Sequence, residues 1–203
     1  ANLEMHNGIW NRFFGKRFPH ITIGIIGVGR IGKRVISHLS GFNCKEILAN
    51  DLIEDHKTSF PTNLRWVDKE TIYKNSDIIT LHLPLNKLTK DMITLQQIEL
   101  MKEAVMLINT SRGGIINEND LYHSLKSGKV SSAAIDVFEN EPYSGDLCSL
   151  DNCLITSHMG SMTQDCRSRM EIEATEEARR YINGEKLKFL VPKEEYENFI
   201  SEE

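Results

Sequence analysis

Along this chain, several apolar runs end on side chains able to do chemistry: Asp51, His82 with Pro84, then Asn109, Thr110, Ser111 and Arg112, then residues 136–141 from Asp136 to Glu141, and last His158. Singly, each reads most simply as an edge residue bonded to a nearby loop. Together they hold what hydride transfer involving a 2-keto acid requires: a cation for the carboxylate, an acid for the carbonyl oxygen, and a group that keeps that acid protonated. Arg112 can clamp a carboxylate with two parallel N–H donors, which lysine does with less direction. His158 can give its proton to the carbonyl oxygen, and Glu141 can bind the other ring nitrogen, fixing the tautomer and favouring the imidazolium. In the oxidative direction the neutral imidazole takes the hydroxyl proton. Asp136 can accept from a nicotinamide carboxamide and so orient the ring.

A place for the hydride carrier lies nearer the N-terminus. Residues 21–36, ITIGIIGVGRIGKRVI, break an apolar run with three spaced glycines and resume with helical periodicity. This pattern predicts a strand, a phosphate-binding turn and a helix. Gly27 makes the tight turn, Gly29 lets a pyrophosphate approach the backbone, and Gly32 lets the helix pack on the strand. The amides of Arg30 and Ile31 then open a helix whose positive end faces the phosphates, with the Arg30 side chain beside them. A second apolar run, 46–50, leads to Asp51, which stands about twenty residues past the motif, where a carboxylate can accept from the adenosine ribose hydroxyls. That carboxylate repels a 2′-phosphate, and Leu52, Ile53, Glu54 and Asp55 bring no adjacent cation to receive one. NAD is therefore expected over NADP, with Lys57 a distant exception.

The elements that must position these groups alternate. Strands are expected at 21–26, 46–50, 77–83, 104–109, 132–138 and 153–157. Helices are expected at 30–40, at about 68–74 with Asp68 as cap, and at 94–101 behind a Thr94/Gln97 capping box. Two more are expected, one between Asn117 and Gly128, and one from a Ser161/Gln164 capping box to about Asn183 with Gly184 as stop. Near-continuous apolar strands between helices predict an α/β domain with a doubly wound parallel sheet, a Rossmann-type nucleotide-binding fold at 21–185. Its ligands belong beyond the carboxyl ends of the strands.

Residues 1–20 form an N-terminal arm or helical lead-in, and 186–203 a tail whose charged end is expected to fray. The arm carries Leu3, Ile9, Trp10, Phe13, Phe14 and Phe18, too many apolar groups for a solvated segment; it is expected to pack on this domain, on a second copy, or on protein absent here.

With 203 residues the chain accommodates one core and perhaps an appendage, and a net charge of −5 disfavours nucleic acid and anionic membrane as partners. No apolar run reaches membrane-spanning length and the first twenty residues lack a signal-peptide core, so a cytoplasmic location is expected. Cys44, Cys148, Cys153 and Cys166 show no metal-ligand spacing, and reduced thiols are expected with no metal site.

The motifs GVGRIG with Asp51, HLP at 82–84, residues 101–128, AAIDVFENEP at 133–142 and SHMG at 157–160 together resemble the D-isomer-specific 2-hydroxyacid dehydrogenases. The resemblance spans about residues 8–185, with the motifs in the family's order. It implies that Arg112, Glu141 and His158 are the catalytic trio. It further implies that Arg30, Ile31, Asp51, Leu83, Pro84, Thr89, Thr110, Arg112, Asp136, His158 and Gly160 lie on or beside NAD, and that the chain dimerises through this domain.

In that family the nucleotide domain is inserted into a second, flavodoxin-like domain that forms the opposite wall of the cleft, and the GIW at 8–10 resembles the connecting helix. Because only twenty residues precede the first strand, the chain is expected to be an excised domain or a naturally short product. As such it is expected to bind NAD and to turn over 2-hydroxy acids feebly. Formate dehydrogenases are similar over the same motifs but carry Gln where this chain has Glu141. Corepressors built on the same dehydrogenase fold suggest a different alternative, an NADH-sensing interaction module.

Overall fold

The computed structural model describes residues 1–55 and 57–191; the expected fraying of the charged end concerns residues outside these. A short helix α1 (Asn2–His6) opens the chain and an extended arm follows, leading to strand β1 (Thr22–Ile26) and helix α2 (Arg30–Leu39). Then come β2 (Glu46–Asn50), β3 (Leu64–Trp66), α3 (Lys69–Asn75), β4 (Ile78–Leu81), α4 (Leu95–Leu100), β5 (Val105–Asn109), α5 (Glu118–Ser127), β6 (Val130–Ile135), β7 (Cys153–Ile155) and α6 (Gln164–Ile182). The described strands form one seven-stranded parallel sheet in the order β3-β2-β1-β4-β5-β6-β7. Chain direction across the sheet reverses between β1 and β4, where Ile26 pairs with Leu81, so the first crevice for a ligand opens beyond these two residues.

Strand β1 is buried on both faces, as a central parallel strand must be. Ile23 and Ile25 join Ile36 of α2, Ile47 and Ala49 in one apolar cluster. Ile26 faces the other cluster, with Leu48, Ile72, Ile79, Leu81 and Leu107. The helix starts follow their caps. Asp68 accepts from the Thr71 amide at 2.7 Å, Asn117 accepts from the Asp120 amide at 3.1 Å, and the Gln97 carboxamide accepts from the Thr94 amide at 3.1 Å. Gly128 closes α5 at φ +83° and Gly184 follows α6 at φ +67°, both left-handed stops.

The sheet has one strand more than the sequence patterning predicts. Strand β3 is three residues long, with exposed Arg65 between half-buried Leu64 and Trp66, too short for its alternation to register. Three expected strands are also shorter at their carboxyl ends: β4 stops at Leu81, β6 at Ile135 and β7 at Ile155, where the chain turns away to form the loops of the site. Helix α6 starts later than its expected capping box, with Thr163 rather than Ser161 at the N-cap. The cause is local: the Met162 amide bonds the Met159 carbonyl at 3.1 Å, closing a separate turn, and the first helical bond runs from Arg167 N to Thr163 O at 2.9 Å.

The arm does not pack on this domain as a unit. Trp10 is 75% and Phe14 105% exposed, and the GIW segment follows α1 rather than lying within it. Its anchors are Phe18, whose ring meets Phe42 at 4.9 Å, and Lys16, 3.5 Å from Asp77. No residue of α6 is buried, and Arg167–Glu171 and Arg169–Glu173 pairs run along it at 2.9 and 2.6 Å. No described helix is long and apolar enough to cross a membrane.

Candidate active site

At the end of β1 the backbone turns with no room for side chains. Gly27 sits at φ +95°, and a Cβ there would lie 2.3 Å from the His82 carbonyl oxygen and 3.0 Å from the Leu83 side chain. At Gly32 a Cβ would meet the Gly27 carbonyl oxygen at 2.1 Å, whereas at Gly29 it would meet nothing within 4 Å. Two glycines are thus dictated by protein packing and the third faces open space, the arrangement that a pyrophosphate lying against the backbone requires. Gly29 is the N-cap of α2 and offers no side-chain cap. Arg30 and Ile31 are exposed residues, and as first-turn positions their amides have no partner within the helix, which leaves them for an anion at its positive end.

Asp51 closes this cradle. Its Oδ2 accepts from the Val28 amide at 2.6 Å and its Oδ1 from the Leu52 amide at 2.7 Å. A carboxylate has about four lone-pair sites, so two remain for the ribose hydroxyls. The shape and free donors of this cradle, lined by Gly27, Gly29, Arg30, Ile31, Gly32 and Asp51 with the Leu83 side chain against Gly27, fit an adenine dinucleotide. Thr89 is buried and spent on its own turn: its hydroxyl donates to the Pro84 carbonyl at 2.6 Å and accepts from the Asn86 amide at 2.9 Å. It holds Pro84 in place and presents no free hydroxyl to a ligand.

A second group of residues meets beyond β5, β6 and β7. His158 Nδ1 lies 2.9 Å from Glu141 Oε2, and the other carboxylate oxygen, Oε1, accepts from the Phe138 amide at 3.0 Å. The hydrogen bond with His158, and then that amide, hold the Glu141 carboxyl below its ordinary range, so it stays an anion and an acceptor. With Nδ1 engaged by Glu141, Nε2 is the ring nitrogen not taken up by that pair. The pair is half open, with side-chain exposures of 49% for His158 and 38% for Glu141. Beside it lies a cavity of about 900 Å³ whose walls include Phe138, Tyr143, Cys148, Ile155 and Met159. The Phe138 and Tyr143 rings stack at 3.9 Å.

The backbone of His158 is in the left-handed region at φ +53°, unusual for a non-glycine residue, and Asp136 holds it there. The His158 amide bonds the Asp136 carbonyl at 2.8 Å. The Met159 amide donates to both Asp136 carboxylate oxygens at 2.9 and 3.0 Å, and the Thr156 hydroxyl donates to Oδ1 at 2.5 Å. Asp136 is buried, and most of its acceptor capacity is committed to this turn. Sequence reasoning placed it at the carboxamide and missed Thr156; the available signal was a hydroxyl residue two positions before a histidine at a strand exit.

Arg112 is carried by a loop that Asn109 braces. The buried Asn109 donates to the Arg112 carbonyl at 2.8 Å and accepts from the amide and hydroxyl of Ser111 at 3.1 and 2.8 Å. Gly113 follows against the 138–139 backbone, where a Cβ would lie 1.9 Å from the Phe138 carbonyl oxygen; this contact ties the arginine loop to the Glu141 loop. The Arg112 guanidinium is exposed, donates to the Ser111 carbonyl at 2.6 Å, and joins no ion pair among the described residues. Thr110 and Gly160 lie exposed on the same edge. The structure thus joins Glu141, His158 and Asp136 directly, and links Arg112 to them through the backbone at Gly113.

A parallel sheet with a glycine cradle at its switch point and a Glu–His pair farther along the same edge is the form of a Rossmann-type NAD-binding domain. More narrowly, the chain belongs to the D-isomer-specific 2-hydroxyacid dehydrogenases: the family model of their NAD-binding domain matches residues 1–160. A hydroxypyruvate reductase of Thermotoga maritima is 38% identical over 182 residues, covering 87% of this chain and 58% of that protein. Among solved structures, a formate dehydrogenase of Staphylococcus aureus in complex with NAD aligns with a TM-score of 0.84 at 29% identity, over 94% of this chain and 59% of that one. A D-lactate dehydrogenase of Lactobacillus jensenii with NAD+ aligns with a TM-score of 0.81 at 27% identity, over 95% and 62%. The chain spans little more than half the length of these three proteins.

Proposed function

We propose that this chain carries the nucleotide-binding and proton-transfer half of a dehydrogenase acting on D-2-hydroxy acids and their 2-keto counterparts, with NAD preferred over NADP. NAD, when bound, supplies the hydride acceptor or donor. Arg112 binds the substrate carboxylate, and His158 Nε2 gives or takes the proton at the substrate oxygen. Glu141 fixes the ring and stabilises its charged form. Asp136 holds the turn that presents His158, with its remaining acceptor capacity toward the carboxamide. The observation that carries the reading is the 2.9 Å Glu141–His158 pair at the sheet edge that also bears the Gly27–Asp51 cradle. A hydroxypyruvate reductase among the relatives makes hydroxypyruvate a first substrate to try, and the carboxylate at Glu141 favours a hydroxy acid over formate.

The half-open pair lacks a covering wall among the described residues, and positioning contributes roughly 7–11 kcal/mol in favourable cases. The chain by itself therefore binds NADH and turns over weakly. The test is an NADH fluorescence titration followed by assays with hydroxypyruvate, glyoxylate and D-lactate. Absence of NADH binding rejects the cofactor assignment, and turnover at the family's usual rate rejects the need for a further wall. The domain scheme is an arm at 1–20, the nucleotide domain at 21–185 and a tail at 186–203. The free cysteines and acidic composition suit the cytoplasm. The exposed Ile9, Trp10, Phe13 and Phe14 favour association into a homodimer. That exposed arm also favours the second reading, an NADH-responsive interaction module, for which NADH-dependent association without turnover is the distinguishing result.

A further inference from the structure

A cation that the 52–55 segment lacks is brought to it by the helix that opens the cradle. Lys33 is the residue after Gly32, on the first turn of α2, and its ammonium pairs with the Asp55 carboxylate. Asp55 is more than an ion-pair partner. Its Oδ1 accepts from the amides of Lys57 and Thr58 at 2.8 and 3.1 Å, and its Oδ2 takes the Thr58 hydroxyl at 2.5 Å besides Lys33. Four donors converge on one side chain, which folds the loop after β2 back onto the helix that opens the cradle. Asp51 lies in the same loop and is tied at Val28, so the segment between the two aspartates is fixed at both ends. Lys33 also draws the Asp55 carboxyl far below its usual range, with Thr58 adding to the shift, so the carboxylate keeps its charge throughout the physiological range.

We propose that Asp55 is a second determinant of cofactor choice, excluding NADP by sequestering the Lys33 ammonium that would otherwise receive a 2′-phosphate. The proposal rests on the assignment of Asp51 to the adenosine ribose. Asp51 repels the phosphate directly; Asp55 removes the nearby cation that could offset that repulsion. Through Asp55 the Lys33 ammonium is tied to the same loop that carries Asp51, four residues away, and phosphate is a stronger partner for an ammonium than any hydroxyl. Because Asp55 accepts the loop amides through Oδ1, Asp55→Asn keeps an acceptor for them and removes the negative charge from Lys33.

The experiment is fluorescence titration of the full chain with NADH and with NADPH at low ionic strength, for the wild type, D55N and the double variant K33M/D55N. The expected result is that the ratio of NADPH to NADH dissociation constants falls about fivefold in D55N, the upper range for a partly exposed charge pair. The ratio returns to the wild-type value in K33M/D55N, and the gain disappears in high salt. An unchanged ratio in D55N makes Asp55 a loop clasp alone and overturns the proposal. A gain that persists in the double variant assigns the cation elsewhere, Lys57 being nearest in sequence, and overturns it as well. Failure of the underlying assignment looks different: wild-type NADH affinity that is unchanged in D51A removes Asp51 from the ribose, and the proposal with it, whatever D55N does.

Discussion

The two ends of the site are made of different materials. At β1 and β4 the cradle is backbone: glycines packed against carbonyls, helix amides, and one aspartate bonded to two amides. At β5, β6 and β7 it is side chain: a histidine on a left-handed turn, a carboxylate beside it, and an arginine on a braced loop. The first is rooted in the buried end of β1 and opens to solvent at Gly29, while the second is carried on loops and is half exposed. A binding surface made of main chain is as rigid as the sheet that carries it, so its geometry is present before ligand arrives. An acid–base pair on loops needs buttresses, which Asp136, Thr156 and Asn109 supply from below, and a cover from above. On the proposed function, cofactor binding is the property this domain supports with its own backbone, and proton transfer the one that leans on further cover.

The sharpest way to break that contrast is at Gly27. Gly27→Ala puts a methyl group 2.3 Å from a carbonyl oxygen at φ +95°, and neither the β4 exit nor the turn has freedom to yield. The expected cost is on the order of 3 kcal/mol or more, with loss of NADH binding. Chemical denaturation and NADH titration of the variant check it, and near-wild-type values in both would show the cradle to be adaptable.

The other end should respond in the opposite sense. Glu141→Gln and His158→Ala are expected to leave NADH affinity within about twofold while lowering hydroxypyruvate reduction by about a hundredfold. Steady-state rates beside the same titration separate the two effects. A parallel loss of NADH affinity would show that the acid–base pair is part of the nucleotide site.

The same division explains what was legible in the sequence. The sheet was legible because central parallel strands are apolar throughout, as in residues 21–26 and 46–50, and the cradle because only glycine can stand where Gly27 and Gly32 do. Glu141 and His158 were legible as residue types at strand exits, strengthened by the family's motifs. The supports were not. Thr156 serves Asp136 across two strands, Asn109 works through a turn, and Lys33 meets Asp55 twenty-two positions away. Contacts of this kind leave no periodicity. Strand β3 escaped for a related reason, since three residues are stabilised by their neighbour β2 and hardly by their own pattern. Ser161 illustrates the reverse: the right residues for a cap, displaced by a turn that closed first.

A smaller effect tests whether the catalytic half depends on its caps. Asn117 starts α5, which carries Leu121 and Leu125 into the core beneath the Glu141 loop. Asn117→Ala should cost about 1 kcal/mol without altering NADH affinity, read by thermal melts and titration. A loss below a few tenths would mean that water caps this helix as well as Asn117 does.

The smallest expected effect tests the cradle by pH. His82 follows β4, its amide bonds the Ile26 carbonyl at 2.8 Å, and its carbonyl is the group that excludes a side chain at Gly27. Its ring is 3.1 Å from the Thr80 hydroxyl, and burial lowers its pKa from the ordinary 6.5. The unfolded chain therefore takes up this proton before the folded one does. Stability present above about pH 6.5 should be lost as pH falls through that value toward the folded one, and should level off below it. Melting temperatures between pH 7.5 and 5 should decline in the wild type and decline less in His82→Gln, which carries no titrating ring. Parallel slopes would remove His82 as the source. A wild-type slope that changes when NADH is saturating would place the proton sensitivity in the cradle itself, because a ligand whose binding is not linked to the proton raises stability equally at every pH and leaves the slope as it was.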